Sequence, residues 1–143
     1  AGVSQAGALK IVKCSGLDKY VNSCLRGKDG NGCGTCWKCF HKNGPLGRPF
    51  NIKGREIQTF LHRSPLPTTT HALWALKELN LESETPHLQE LLEQDLSWWT
   101  GIYPPSAEIL PVRWKDEIQE HLSRYLEPMS KPYALESVNH YSE

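Results

Sequence analysis

The cysteines constrain this chain more than any other feature. Four of the five fall within sixteen residues, in the run Cys24-Leu-Arg-Gly-Lys-Asp-Gly-Asn-Gly-Cys33-Gly-Thr-Cys36-Trp-Lys-Cys39. The spacing C-x8-C-x2-C-x2-C lets neighbouring sulfurs converge on one ion. Four thiolates at about 2.3 Å from a zinc ion make a closed tetrahedral structural site. The glycine-rich segment 27–32 gives the chain the freedom to turn and return Cys24 as the fourth ligand. The metal ligands read from the sequence are therefore Cys24, Cys33, Cys36 and Cys39. An iron–sulfur cubane is the rival occupant, because a C-x2-C-x2-C run with a remote fourth cysteine suits it too. A redox pair needs only two cysteines. A disulfide framework would leave one thiol over from an odd count. Four sulfurs fill the tetrahedron, so His41, just downstream, adds nothing to it.

The remaining sequence reads as helix. Residues 3–14 carry Val3, Ala8, Leu9, Ile11 and Val12, with Ser4 as N-cap and Gly16 past the end. Cys14 lies on this segment, outside the metal spacing, and reads as a buried thiol acting as a small apolar residue. Asp18 opens a short turn through Tyr20 and Val21. A helix is expected over 34–42, bearing Cys36 and Cys39 on one face and ended by Gly44 and Pro45. Trp37 and Phe40 then fall on a neighbouring face, where core packing beside the knot is the expected role and stacking platforms for bases the alternative. The stretch 45–49 reads as an irregular, turn-rich connection.

Ile57, Phe60 and Leu61 place a helix over 54–62. The threonines at 68–70 offer N-caps for a helix through Leu79, with Leu73, Leu76 and Leu79 on its apolar face. Thr85 caps another helix, with Pro86 at its first position and Leu88, Leu91, Leu92 and Leu96 inside. Trp98, Trp99, Ile102 and Tyr103 form an aromatic corner. A last helix spans 112–126, with Trp114, Ile118, Leu122, Tyr125 and Leu126 on one side. The tail after Pro132 is expected to order only if it docks. No stretch alternates at period two. The expected fold class is mostly α, a helical domain around a four-cysteine zinc knot. A compositional seam at 64–70 divides it into a zinc-binding segment, 1–63, and an acidic helical extension, 64–143.

Charge is sorted along the chain although the total is zero. Residues 1–63 hold eleven Lys/Arg and three Asp/Glu, whereas 64–143 hold five and thirteen. Such asymmetry between halves points to a polyanion near the metal half. Arg26, Lys28, Lys38, Lys42 and Arg48 are the candidate cations for a phosphate or nucleic-acid ligand. The competing reading is an internal interface with Glu90, Glu93, Asp116, Glu117 and Glu120.

No apolar run approaches the roughly 20 residues of a membrane span, and no secretory leader is visible. Reduced, metal-bound cysteines then suit a cytoplasmic chain. No Walker A loop, Gly-x-Gly-x-x-Gly turn, Ser-Gly-Gly-x-Asp-Ser loop or Gly-x-Ser-x-Gly elbow occurs, and no catalytic residue is assigned. His62 and His71, either side of Pro65-Leu-Pro67, read as solvent-facing or capping, with acid–base chemistry as the competing role.

The cysteine run with its glycines, Gly32-Cys33-Gly34-Thr35-Cys36 and Cys39 after a remote Cys24, resembles the C-terminal signature of the QueC-like family, 7-cyano-7-deazaguanine synthase and its relatives. Lys42 and Arg48 match the basic positions downstream, and Gly7-Ala-Leu-Lys-Ile-Val-Lys13 is similar to the helix that leads to the family's first cysteine. The resemblance covers about residues 3–48 and is silent on 64–143. It implies a structural zinc beside a larger α/β nucleotide-binding domain that activates a carboxylate with ATP and Mg²⁺. This sequence lacks that domain's ATP loop. The resemblance therefore implies the C-terminal part of such an ATP-dependent ligase-like enzyme, or a companion subunit that completes one; the start at Ala1 rather than Met suggests either processing or a fragment of something longer. The alternative is a stand-alone zinc-stabilised helical interaction module, with nucleic acid as its partner.

Overall fold

A computed structural model of the chain describes residues 2–137. It is mostly helical. Among the described residues the only β pairing is two isolated bridges, Val3 to Ile102 and Ile102 to Pro128. Residues 138–143 of the expected tail lie outside the described residues; the part before them carries a short helix, Ala134–Ser137.

Helix α1, Gln5–Cys14, starts where the sequence places it. Ser4 accepts a hydrogen bond from the Gly7 amide at 3.0 Å, and its hydroxyl also donates to the Trp99 carbonyl. Ala6 and Gly7 are its buried residues. A Cβ on Gly7 would sit 3.2 Å from the Thr100 carbonyl oxygen, so this glycine permits close packing on the turn Ser97–Thr100. The expected stripe is thus displaced, and Ala8 is exposed. Cys14 is exposed as well, not buried, because the buried contact of α1 is confined to its first turn.

The segment after Cys36 departs from the expected helix. Helical backbone begins at Trp37, widens into a π-turn over Cys39–Asn43, and tightens into a 3₁₀ turn over Gly44–Leu46. Gly44 and Pro45 therefore continue the helical path rather than end it. Pro45 fits because the opening residues of a helical turn need no N–H partner. A side chain on Gly44 would meet Phe50 at 2.8 Å. The stop comes at Gly47, whose φ of 81° is the left-handed conformation glycine accepts without cost.

Helix α2, Arg55–Leu61, buries Ile57, Phe60 and Leu61. Helix α3, Thr69–Glu78, is the central element. It buries every residue from Thr70 to Leu76, well beyond a single leucine stripe. Thr68 precedes it with φ 51° and provides no side-chain cap. The leucine-rich stretch beyond Thr85 is broken, giving a 3₁₀ turn at Pro86–Leu88 and then the single-turn α4, Gln89–Leu92. Thr85 is fully buried, and its hydroxyl turns back to the Glu82 carbonyl instead of capping.

Helix α5, Lys115–Ser123, follows a 3₁₀ turn at Val112–Trp114 and has no buried residue. Of its expected apolar side only Leu126, just past its end, enters the interior; Trp114 is 46% exposed. α6, Ala134–Ser137, is the short helix near the described C-terminal limit.

One apolar cluster joins Ala6, Phe40 and the buried face of α2 to Leu66, α3, Leu88, Leu92 and Leu96. Residues on both sides of the compositional seam contribute to it. No helix among the described residues is long and apolar enough to cross a membrane.

Candidate metal centre

Four sulfurs are brought together at one point. Cys24 arrives from an extended arm, Cys33 from the glycine loop, and Cys36 and Cys39 from the entry to the π-turn. Their Sγ atoms all lie within 4.8 Å of one another. Cys36 is 3.7 Å from Cys24 and 3.6 Å from Cys39, and Cys33 is 3.9 Å from Cys39. A tetrahedron with metal–sulfur bonds of about 2.3 Å has sulfur–sulfur edges of about 3.8 Å. The cluster therefore has the size of a single tetrahedral ion's ligand shell. No fifth His, Cys, Asp or Glu joins it among the described residues, and His41 stays outside.

The backbone supports the sulfurs as thiolates. The Cys33 amide donates to Cys24 Sγ and the Gly34 amide to Cys39 Sγ, each at 3.3 Å. The Thr35 hydroxyl donates to Cys33 Sγ at 3.4 Å, and this contact with the Thr35 amide brings the Cys33 thiol down to about 6. Burial acts in the other direction on Cys36 and pushes Cys39 up to about 12. Buried thiolates in such a group need a cation among them. A metal ion held by the four sulfurs would supply it, since coordinating thiols are deprotonated outright.

Glycines shape the loop for steric reasons. A Cβ on Gly27 would lie 1.7 Å from the Asn31 carbonyl oxygen. One on Gly32 would lie 2.7 Å from Asn43 Nδ2 and 2.8 Å from Cys39 Sγ. Gly34 holds φ 71°. Asn43 is the residue that sequence reasoning missed. It is buried, and its Nδ2 donates to Asn22 Oδ1 at 3.1 Å and approaches Cys39 Sγ at 3.7 Å. Its Oδ1 accepts from the Ser23 amide at 3.4 Å. Asn43 thus ties the Cys24 arm to the π-turn, the supporting role that outer hydrogen bonds play around metal ligands. The available signal was an asparagine four residues after the last cysteine, one helical turn away.

Beneath the site lies an aromatic stack. Trp37 is parallel to His41 at 4.8 Å and to Phe60 at 5.4 Å. His41 is fully buried, and burial pushes its imidazole down to about 3. His71, expected at the surface, is 2% exposed in the core. Its Nε2 lies 2.8 Å from the His41 carbonyl oxygen, so Nε2 carries the proton. His62, by contrast, is exposed.

The five candidate cations are not equivalent. Arg26 is exposed and makes a two-pronged ion pair with Glu56. Lys28 is exposed; Lys38 and Lys42 are half-buried, and Lys38 lies 5.7 Å from the Trp37 ring centre. Arg48 turns inward to the Asp18 carbonyl at 2.8 Å. None of the five pairs with Glu90, Glu93, Asp116, Glu117 or Glu120 among the described residues, and Glu120 pairs with Arg124 instead. The one ion pair across the seam among the described residues is Lys53 to Glu84 at 3.7 Å.

Fold and site together define a small helical domain built on a four-cysteine cluster sized for a metal ion. Residues 1–44 and 48–141 match a family of unknown function (DUF6395), and the chain belongs to that family. No curated protein and no solved structure matches it.

Proposed function

We propose that Cys24, Cys33, Cys36 and Cys39 hold one structural Zn²⁺, and that the chain is the zinc-bearing part of a QueC-like ATP-dependent enzyme acting on a 7-deazapurine carboxylate in the cytoplasm. The observation that carries the metal assignment is the set of sulfur–sulfur distances near 3.7 Å. A cubane puts each thiolate on a different iron and spreads the sulfurs wider than one ion does. Four protein ligands leave no open position for substrate, which is the mark of a structural site. The enzyme assignment is supported by the Gly32-to-Cys39 signature and the leading helix α1. ATP and Mg²⁺ would be held by a nucleotide-binding domain or companion subunit, since this chain has no phosphate loop.

Two measurements test the proposal separately. Metal analysis of anaerobically purified protein should give one zinc per chain; iron with acid-labile sulfide refutes the metal assignment. With Mg·ATP and a 7-deazapurine carboxylate, the isolated chain should release no phosphate. Phosphate release should require the nucleotide-binding domain and the carboxylate together. ATP turnover by the chain alone, or turnover by the combined protein without carboxylate, counts against the enzyme reading.

A second reading is favoured by Lys28, Lys38 and Lys42, which make no ion pair among the described residues. A stand-alone module would use them on nucleic-acid phosphates. Its affinity for an oligonucleotide should then fall steeply with salt as counterions are released.

A further inference from the structure

Residues of α2 line a cleft that also takes in part of the cysteine segment. Arg55 and Glu56 line it from the first turn of α2, Thr59 and the largely buried Phe60 from the same helix, and Arg63 from just past its end. Arg26 and Trp37, from the cysteine segment, also line it, as do Pro67 and Thr68 ahead of α3. The cleft has a volume of about 610 Å³, within the range of small-molecule sites.

The arginines of this cleft outnumber the partners the fold gives them. Arg55 and Arg63 are exposed, and neither makes an ion pair or a side-chain hydrogen bond with another described residue. Three guanidinium groups thus face a single carboxylate, Glu56, which is already engaged with Arg26. Thr68 holds φ 51°, a conformation rare for a β-branched residue, and strained backbone of this kind gathers at functional sites. Trp37, half-buried, adds apolar surface to the cleft.

We propose that this cleft binds a small organic anion, with its phosphate or carboxylate held by Arg55 and Arg63 and its apolar body against Trp37. Guanidinium groups suit this task because their planar N–H fork matches both anions. Arg26 is held in place by Glu56, which also competes with the ligand for cations. The cysteine segment supplies part of the lining, so the metal centre shapes the cleft without touching the ligand. The inference stands whether or not the enzyme assignment above holds.

The test uses phenyl phosphate, inorganic phosphate and benzyl alcohol as probes, titrated calorimetrically into the full zinc-loaded chain. Phenyl phosphate should bind one to one and more tightly than inorganic phosphate, and benzyl alcohol should not bind. R55Q and R63Q should each weaken phenyl phosphate about tenfold, the loss expected for one charge-assisted contact. Both side chains are exposed and unpaired, so these variants keep their zinc and fold. E56Q should instead tighten phenyl phosphate several-fold by removing the competing carboxylate, a gain that damage to the fold would not produce. No binding of phenyl phosphate, binding equal to that of benzyl alcohol or of inorganic phosphate, or affinity unchanged in R55Q and R63Q overturns the proposal.

Discussion

Lowering the pH from 7 to 5 should destabilise this fold by about 2 kcal/mol through His71 alone. Burial holds the His71 imidazole down to about 4, against 6.5 for an unperturbed histidine. The unfolded chain therefore binds more protons than the folded one between those values. Stability is lost as pH falls through 6.5, and the loss is complete below 4. Integrating the linkage between pH 7 and pH 5 gives about 2 kcal/mol, equivalent to about 1 M in a urea midpoint. Cysteine protonation and metal release add their own pH dependence, so the assay is a comparison. Urea midpoints at pH 7 and pH 5 are measured for the natural protein and for His71→Gln, whose amide can still donate to the His41 carbonyl but does not titrate. The natural protein should lose about 2 kcal/mol more than the variant. An NMR titration should show the His71 ring neutral down to about pH 5. Equal pH dependence in the two proteins, or a ring that protonates near 6.5, refutes the reasoning.

Three further outcomes are expected. Cys36→Ser should abolish metal binding and unfold residues 14–48, because structural zinc contributes its binding free energy to folding, whereas Cys14→Ser should leave the metal content unchanged; atomic absorption and circular dichroism check both. Gly32→Ala should loosen the metal, since its Cβ has no room beside Asn43 and Cys39, and a chelator competition should read a loss of affinity of about 10-fold or more, about 1.4 kcal/mol. Asn43→Ala should weaken metal retention by about 10- to 100-fold while keeping all four ligands, the range typical of lost supporting hydrogen bonds.

The cysteine site was legible because its information is local. Spacing alone places four sulfurs within reach of one ion, and the glycines between them mark where the chain turns. Ser4 and the start of α1 were legible for the same reason. Asn43 and Gly32 acquire their roles through space, by meeting each other and Cys39, and no periodicity reports that. His71 was misjudged because proline neighbours suggested a surface linker, whereas α3 is buried over almost its whole circumference and draws the histidine inside. Gly44 and Pro45 read as a stop, yet the π-turn before them shifts the helical register so that both fit a tighter turn. Cys14 and the apolar residues around α5 show the converse: an apolar pattern names a face but not whether a neighbour exists to cover it. Val112, 92% exposed, is such a residue.

Ile102 is paired with Val3 on one side and with the strand-like backbone at Pro128 on the other, through the Ile102 amide to the Glu127 carbonyl and the Met129 amide to the Ile102 carbonyl. The two arrangements in this chain differ in how much slack they take up. The cysteine loop closes over about fifteen residues, whereas the Val3–Ile102 pairing closes over about a hundred, at an extra entropic cost of about 1.7 kcal/mol. Contacts that enclose so much chain form after the local ones in the folding sequence. Weakening the Ile102 junction, for instance with Ile102→Pro, which removes the amide that donates to the Glu127 carbonyl, should therefore accelerate unfolding while leaving the refolding rate nearly constant. Stopped-flow chevrons of the two proteins should then separate along the unfolding arm alone, and a shift of the refolding arm would show that the junction forms early.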